Sequence, residues 1–203
     1  MKRDDIRLLN PYHKGRALPV GLLRYLIPKQ RDLSSIDAQL EHGERELMYH
    51  LPLLAGGGPV LNLGDGGSTV ILALSLIDHE LQGELVSIDS YVDGWRLVHE
   101  RQRAQFGVTE RVRFIHNSTA NVYPQLASTY FRLLFIDADH SYEGCKRDAQ
   151  LYVPQVVVDG LVSFHDVNQE GVDRVIREVM EPDWDLVAWV NRLKVFRRRA
   201  KSP

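Results

Sequence analysis

Two acidic residues and two histidines stand out in this sequence because they lie within a few residues of the ends of apolar runs. Residues 133–136 and 161–164 form the runs, which end at Asp137 with nearby His140 and at His165 with Asp166. Short apolar runs of this kind are typical of buried parallel strands, whose C-terminal ends meet along one edge of a sheet. Open α/β sheets bind their ligands at that edge. Carboxylates and imidazoles gathered there indicate either a metal site or a general base.

A glycine-rich stretch at residues 61–69 provides a second ligand-binding element. Gly64, Gly66 and Gly67 stand between an apolar run and a helical pattern. Glycine allows a sharp turn and a close approach of a ligand to the backbone. Ser68 is a natural N-cap, and the N–H groups at such a helix start can bind an anionic group. The pattern predicts a nucleotide, dinucleotide or carboxylate site, or else only a tight strand-to-helix turn.

Polar residues also follow the next two predicted strands. Asp89 ends the second strand, where a carboxylate can accept hydrogen bonds from both hydroxyls of an adenosine ribose. Ser90 follows directly, and Tyr91 or Trp95 is a candidate to flank an adenine ring. Ser118 follows the third strand and is expected either to contact the adenine side or to cap a helix.

The hydrophobic pattern predicts a sheet that brings these strand ends together. Seven strands are expected, at residues 60–63, 84–88, 112–115, 132–136, 161–164, 186–190 and 193–196. Helices are expected at residues 69–77, 94–106, 119–127, 142–158 and 172–180. Repeated strand–helix units followed by a hairpin predict an α/β protein with a doubly wound, mostly parallel seven-stranded sheet, helices on both faces and a C-terminal antiparallel hairpin.

The first 57 residues have a different pattern. Pro11, Pro19 and Pro28, followed by apolar residues at helical spacing between Leu40 and Leu54, predict two or three helices with loops between them. Gly56-Gly57-Gly58-Pro59 is a strong helix breaker. We therefore expect an N-terminal helical cap at residues 1–57, not independent of the rest, and a ligand-binding domain at residues 58–203.

Composition limits the function classes. The chain has 203 residues and a formal net charge of -2, which does not indicate a nucleic-acid-binding surface. Cys145 is the only cysteine, so no internal disulfide can form and a cytoplasmic location is expected. Asp4-Asp5 follows the basic start of the chain directly, which argues against a signal peptide. No apolar run reaches the roughly 20 residues that cross a bilayer, so no membrane contact is expected.

Taken together, these motifs resemble a known enzyme family. The loop at residues 62–69, Asp89 and the segments at residues 136–144 and 164–167 are similar to class I S-adenosylmethionine-dependent methyltransferases. The Asp-Ala-Asp-His-Ser-Tyr-Glu-Gly run at residues 137–144 is the specific part. It resembles the small branch of macrocin-type sugar O-methyltransferases and cephalosporin hydroxylase-like proteins (methyltransferase domain family 24). The resemblance implies a Rossmann-like fold with S-adenosyl-L-methionine as the cofactor.

The resemblance also implies roles for individual residues. The implied cofactor-binding residues are Asn62, Gly64, Gly66, Ser68, Asp89, Ser90, Ser118 and Asp137. Gly64, Gly66 and Ser68 would lie against the methionine part, and Asp89 would bind the ribose. Asn62 stands where most relatives carry an acidic residue that helps to place the cofactor's amino group.

A divalent metal ion is the second implied ligand. Asp137 and Asp166 match carboxylates that bind a metal in the metal-dependent relatives, and Asn168 is the candidate third ligand because Val167 departs from the usual Asp or Asn. Mg²⁺ or another divalent metal is expected from the oxygen ligands, and it would lower the pKa of the acceptor hydroxyl. Asp137 thus belongs to the catalytic group, with His140 or His165 as the base. His140 is favoured because it begins the loop after the fourth strand.

Three functions remain open on the sequence. The leading one is an O-methyltransferase that acts on a small hydroxylated molecule, such as a sugar or a secondary metabolite, in a homodimer. An NAD-linked dehydrogenase also fits a glycine loop followed by an acidic residue, although the loop lacks the full G-x-G-x-x-G spacing. The third is a non-catalytic domain that binds the cofactor, or nothing, and acts through a partner; Asn62 and the incomplete metal set keep this alternative open.

Overall fold

A nine-stranded sheet forms the centre of the protein in a computed structural model that describes residues 7–9, 17–19, 31–90, 93–180 and 183–200. Its strands are β1 (Arg7–Leu9), β2 (Ala17–Pro19), β3 (Val60–Leu63), β4 (Leu85–Asp89), β5 (Val112–His116), β6 (Phe131–Ile136), β7 (Val156–Phe164), β8 (Trp184–Val190) and β9 (Leu193–Arg198). The helices are α1 (His42–Leu54), α2 (Gly67–Asp78), α3 (Asp93–Gln105), α4 (Thr119–Leu126), α5 (Tyr142–Tyr152) and α6 (Glu170–Val179). All seven predicted strands are present.

The order of the strands creates a crevice in the sheet. The order is β2-β1-β8-β9-β7-β6-β3-β4-β5. Strands β7, β6, β3, β4 and β5 are parallel neighbours, whereas β9, β8, β1 and β2 pair antiparallel. The chain moves outward from β3 to β4 and β5, and in the opposite direction from β6 to β7. The direction therefore changes between β3 and β6, and ligands bind at the carboxyl ends of strands at such a switch point. The predicted doubly wound, mostly parallel fold is confirmed.

Two elements differ from the prediction. The strands β1 and β2 extend the sheet from an N-terminal region where only helices were expected, and β1 pairs with β8. The helix expected at residues 142–158 ends at Tyr152. Pro154 follows in a short 3₁₀ turn and lacks the N–H that would extend the helical hydrogen bonds, while the β-branched run Val156–Val158 begins β7 instead. The turn at Asn191 and Arg192 between β8 and β9 is the predicted hairpin.

Helix α1 is part of the main core. Its buried residues Leu47, Met48 and Leu51 belong to the same hydrophobic cluster as Ile71 and Leu74 of α2. Full burial of each such side chain contributes about 1.5–3 kcal/mol. The helix ends at Leu54, just before the predicted glycine breaker. Residues from the first 57 therefore share a core with the sheet domain.

The single cysteine is a packing residue. Cys145 lies in α5 and is buried, and burial raises the pKa of its thiol to about 12. A thiol in this environment stays protonated and is a poor nucleophile. Across the part of the chain that the structure describes, no helix has both the length and the apolar character needed to cross a membrane.

Candidate active site

A cavity of about 310 Å³ contains most of the chemically active residues. It is lined by the loop Asp65–Ser68 after β3, by the segment Asp37–Leu40 before α1, by Trp95 and His99 of α3, and by Asp137, His140, His165 and Asp166. The two carboxylate–histidine segments therefore meet as the sequence predicted. The segment Asp37–Leu40, which we call the wall segment, was not singled out by any motif.

The glycine loop is held by the strand ends around it. Gly64 has φ +99°, and a Cβ atom there would lie 2.6 Å from the backbone oxygen of Asp137, so this position requires glycine. The carboxylate of Asp65 points inward, where it pairs with Arg103 of α3. The backbone N–H of Asp65 donates to Asp89 Oδ2 at 2.8 Å. Strand β6, helix α3 and strand β4 thus fix one loop.

The start of α2 differs from the predicted cap. The helix begins at Gly67 with Gly66 as its N-cap residue, and no described side chain caps it. Ser68, predicted as the N-cap, lies in the first turn and lines the cavity. Because the first N–H groups of a helix lack intrahelical partners, an uncapped start beside a cavity is suited to bind an anionic group. A Cβ atom on Gly67 would lie 2.5 Å from Asp37 O, so the wall segment packs directly on this helix start.

Asn62 lies below the loop instead of in the cavity. Its side chain is fully buried in β3 and does not line the cavity. Its Nδ2 atom donates to Gly64 O at 2.6 Å and to Thr69 Oγ1 at 2.8 Å. The amide thus ties the loop to the first turn of α2.

The remaining predicted cofactor residues lie at the neighbouring strand ends, outside the cavity lining. Asp89 ends β4, and the exposed Ser90 follows it. Ser118 caps α4, where its Oγ accepts a hydrogen bond from the backbone N–H of Asn121. Trp95 lines the cavity and stacks on His99 with 5.9 Å between ring centroids. Tyr91, the other candidate to flank an adenine, lies outside the described residues.

Two carboxylates orient the imidazole of His140. Its Nε2 atom lies 3.1 Å from Asp137 Oδ1 and 3.2 Å from Asp166 Oδ2. A ring nitrogen that faces two carboxylate oxygens carries the proton, which leaves Nδ1 as the nitrogen that can accept one. The hydrogen bond to Asp137 is the main cause that raises the pKa of His140 above its ordinary value. His140 is partly exposed and lines the cavity, so it has the properties of a general base.

His165 has a different environment. It is 3% exposed, its Nδ1 lies 3.1 Å from Asp137 Oδ1, and its Nε2 lies 3.3 Å from Glu44 Oε2. Burial alone would lower the pKa of His165, but the hydrogen bonds to Asp137 and Glu44 outweigh it and raise the pKa to about 9. Both ring nitrogens therefore carry protons at neutral pH, and the ring has no nitrogen that can accept another. Of the two candidate bases, the geometry favours His140.

Asp137 is ionised between the two histidines. Burial would raise the pKa of Asp137, but the hydrogen bonds from His140 and His165 lower it. Glu44, fully buried in α1, shows the same balance. Burial raises the pKa of its carboxyl, but the hydrogen bonds from His165 and from backbone N–H donors together have the larger effect and lower the pKa below its ordinary value. The cluster therefore contains paired charges in place of neutral carboxylic acids.

Asp166 is shared between His140 and an arginine. Arg192, in the turn between β8 and β9, donates from Nη1 to Asp166 Oδ1 at 2.7 Å. One oxygen atom each of Asp137 and Asp166, with a nitrogen of His140, lie within 4.8 Å of one another. Asn168, predicted as the third metal ligand, is exposed and does not line the cavity. The role of Asn168 as a metal ligand stays a prediction.

Glu44 and Arg192 were missed by the sequence analysis, although Glu44 had a detectable signal. It lies four residues after Leu40 and three before Leu47, on the apolar face of α1, and an acidic residue at a core-facing position needs a buried partner. No local pattern marked Arg192, because its partners Asp166, Glu44 and Gln39 are 26, 148 and 153 residues away in sequence.

Comparisons with known proteins agree with this architecture. The chain is similar to the O-methyltransferase TomG of Streptomyces achromogenes, solved with S-adenosylmethionine, at 16% identity and a TM-score of 0.68 over 89% of this chain and 95% of that chain. A Bacillus cereus O-methyltransferase, solved with S-adenosylhomocysteine, is similar at 16% identity and a TM-score of 0.68, over 89% of this chain and 96% of that chain. A Podospora anserina methyltransferase, also solved with S-adenosylhomocysteine, is similar at 16% identity and a TM-score of 0.65, over 80% of each chain. These likenesses show the fold.

The family follows from the sequence itself. No curated protein sequence is significantly similar to the chain. A family model described as a methyltransferase domain, however, matches residues 61–167, which is more than half of the chain. The matched range runs from β3 through the glycine loop to the segment that contains His165 and Asp166. The chain therefore belongs to this methyltransferase domain family, within the class I S-adenosylmethionine-dependent methyltransferases.

Proposed function

We propose that the protein transfers the methyl group of S-adenosylmethionine to a hydroxyl oxygen of a small molecule, with His140 as the general base. The observation that carries the proposal is the position of His140. Two carboxylates orient its imidazole, and it lines the same cavity as the glycine loop and the uncapped start of α2. A base beside a cofactor loop is what transfer to an oxygen acceptor requires.

The loop fits the methionine part of this cofactor. Gly66 and Ser68 line the cavity, and the first N–H groups of α2 are available to a carboxylate. Asp89 is our candidate for the ribose because it ends β4 beside the loop. The structures of TomG and of the Bacillus cereus enzyme contain S-adenosylmethionine and S-adenosylhomocysteine, which supports the same cofactor here.

The proposed reaction needs only one proton transfer from the protein. S-adenosylmethionine supplies an electrophilic methyl group when it is bound. Nδ1 of His140 accepts the hydroxyl proton as the acceptor oxygen forms its bond to the methyl carbon and the bond from that carbon to sulfur breaks. Asp137 and Asp166 stabilise the resulting imidazolium, as a carboxylate does for a catalytic histidine in other enzymes. The products are the methyl ether and S-adenosylhomocysteine.

A magnesium ion does not fit these residues, although the family resemblance implied one. Mg²⁺ prefers oxygen ligands in octahedral geometry, whereas the converging set includes the nitrogen of His140. Asp166 Oδ1 already accepts from Arg192, and the expected ligand Asn168 is exposed. We therefore assign no step of the reaction to a metal ion.

Two further expectations belong to this proposal. A cytoplasmic enzyme is consistent with a single cysteine that is buried and unpaired, and a homodimer is proposed from the family resemblance. Light scattering after gel filtration measures the oligomeric state directly, and a monomeric mass would refute the dimer.

Calorimetric titration tests the cofactor. The protein is titrated in a chelating buffer with S-adenosylmethionine, S-adenosylhomocysteine and NAD⁺. We expect micromolar binding of the two adenosyl ligands and none of NAD⁺. Binding of NAD⁺ alone would support the dehydrogenase alternative instead, and silence from all three would reject the proposed function.

Turnover tests the base. Hydroxylated acceptors are screened by release of S-adenosylhomocysteine, and His140→Gln is compared with His42→Gln, a substitution of an exposed histidine in α1. We expect loss of turnover in the His140 variant alone, with cofactor binding retained in both. Cofactor binding without turnover on any hydroxylated acceptor would favour the non-catalytic alternative.

A further inference from the structure

Arg192 connects three parts of the active site. Its Nη1 atom donates to Asp166 Oδ1 at 2.7 Å, and its Nη2 atom donates to the backbone oxygen of Gln39 in the wall segment at 2.8 Å. Its backbone N–H donates to Glu44 Oε1 at 2.8 Å. A guanidinium with these fixed partners is a permanent positive charge beside Asp166, because arginine does not deprotonate in proteins.

We propose that Arg192 takes the electrostatic place of a divalent metal ion beside Asp166, so that this site activates its acceptor without a metal. The proposal rests on the proposed O-methyltransferase function and adds a metal-independent mode of activation. Arg192 is a positioning residue: it contacts Asp166, which in turn orients His140.

The charges of the cluster favour this arrangement. Among the described residues, Nη1 of Arg192 lies 2.7 Å from Asp166 Oδ1 and Nη2 lies 3.7 Å from Glu44 Oε2, so one guanidinium already faces two carboxylates. A divalent cation at Asp166 would lie beside this permanent positive charge, and two like charges at such short range in a partly buried site repel each other.

The two carboxylate oxygens of Asp166 have different partners, which gives a second reason why a metal ion is not expected there. Oδ1 accepts from Arg192, while Oδ2 lies 3.2 Å from His140 Nε2. Each oxygen therefore already has a cationic or polar donor, and a metal ion would have to displace one of them. Asp166 also has φ +51°, a left-handed conformation that asparagine and aspartate adopt more readily than most residues. The backbone thus presents the carboxylate to both partners at once.

The test measures metal binding directly and needs no acceptor. Mn²⁺, which reports its own binding by electron paramagnetic resonance, is titrated into the cofactor-free protein. We expect no saturable site in the wild type up to about 1 mM Mn²⁺. Arg192→Met removes the guanidinium but keeps the aliphatic chain, and we expect it to bind Mn²⁺ at least about tenfold more tightly because one repelling charge is gone. Arg192→Lys restores the charge and should bind as weakly as the wild type.

Arg199→Met is the matched control. Arg199 follows the same hairpin and pairs with the exposed Asp185 at 2.7 Å. Neither residue lines the cavity, so the loss of Arg199 should leave Mn²⁺ binding unchanged. Saturable Mn²⁺ binding to the wild type that Asp166→Asn abolishes would overturn the proposal. Failure of Arg192→Met to gain affinity, in a protein with native circular dichroism, would overturn the role of Arg192.

The test of metal independence can fail separately from the test of the proposed methyltransferase function. Cofactor binding is measured by calorimetry with S-adenosylhomocysteine in chelating buffer, independently of the Mn²⁺ titration. If the cofactor fails to bind, the methyltransferase activity is rejected whatever the Mn²⁺ result. If it binds in chelator and an acceptor is then methylated at an unchanged rate after chelation, the metal-independent mode is supported; a rate that returns only on addition of Mg²⁺ would refute it.

Discussion

Glu44→Gln is the sharpest single test of the charge network. Glu44 is fully buried and accepts hydrogen bonds from His165 Nε2, from the backbone N–H of Arg192 and from the backbone N–H of Glu41. Glutamine has nearly the same shape, so the substitution removes the charge and changes the volume little. It leaves the His165 imidazolium with Asp137 as its remaining close carboxylate partner in the cluster, besides the longer contact to Asp166.

The magnitude follows from the shift at His165. Hydrogen bonds to Asp137 and Glu44 raise the pKa of His165 from 6.5 to about 9 against the opposing effect of burial. A rise of that size corresponds to about 3 kcal/mol of net stabilisation of the charged ring. Because Asp137 and Glu44 share this stabilisation, the loss of the Glu44 charge should cost about 1–2 kcal/mol. The amide of the new glutamine cannot accept all the hydrogen bonds that the carboxylate accepted, which should cost about 1 kcal/mol more.

The two contributions differ in their dependence on pH. A group whose pKa is raised on folding stabilises the native state fully below its unfolded pKa, and this stabilisation is lost as the pH rises through the folded pKa. The charge-dependent part of the Glu44→Gln effect should therefore be complete at about pH 6 and nearly absent at about pH 10. The free-energy cost of the mismatched amide should be the same at both pH values.

Urea unfolding at those two pH values measures the difference. Glu46→Gln, on the same helix but paired with the exposed His42 at 3.3 Å, is the control and should change the free energy of unfolding by less than about 0.5 kcal/mol. If the cost of Glu44→Gln is the same at both pH values, His165 is not a charged ring held by Glu44, and the argument fails.

Three more predictions address the base, the wall segment and the N-terminal region. His140→Gln should lower kcat by about 10²- to 10⁴-fold with S-adenosylhomocysteine binding within about twofold by calorimetry; a kcat within tenfold would assign the base elsewhere. Gly67→Ala should destabilise by about 1–3 kcal/mol and weaken cofactor binding, because its Cβ would meet Asp37 O at 2.5 Å. Gly94→Ala, in an exposed helix with no atom within 4 Å, should be neutral or stabilising by up to about 1 kcal/mol in the same thermal unfolding assay. Finally, a chain of residues 58–203 should lack cooperative unfolding by circular dichroism, since α1 shares its core with α2; a stable truncated domain would contradict this.

The parallel sheet was predictable because local patterns encode it. Each buried strand is an apolar run with a clear end, and pairing of Leu63 with Ile136 follows once both are neighbours in a doubly wound sheet. The register then places Gly64 beside Asp137, whose backbone N–H donates to Leu63 O at 2.9 Å. The meeting of the glycine loop with the Asp137 segment could thus be inferred from strand ends alone.

The same reasoning could not find the network around His165. Glu44 and His165 are 121 residues apart, and their contact depends on how α1 packs on the sheet, which periodicity does not determine. The environment of Asn62 was not predictable either: the resemblance implied a role at the cofactor, and the structure buries the side chain beneath the loop. Strand β3 is buried on both faces, so a polar side chain there must find partners inside the protein.

The wall segment explains why the N-terminal helix and the C-terminal hairpin belong to the active site. An irregular segment has backbone oxygens that no strand or helix satisfies, and buried ones need donors. Arg45 of α1 donates to the backbone oxygens of Ala38 and Leu40, Gln102 of α3 donates to that of Asp37, and Arg192 donates to that of Gln39.

The carbonyl groups of four consecutive residues of the cavity wall are thus held by side chains from three separate elements. Such a segment is fixed before any ligand arrives, unlike a loop whose backbone is bound only by water. Because Arg192 also holds Asp166, a shift of the wall segment would move the carboxylate that orients His140. The wall of the cavity and the orientation of His140 are therefore coupled through one guanidinium.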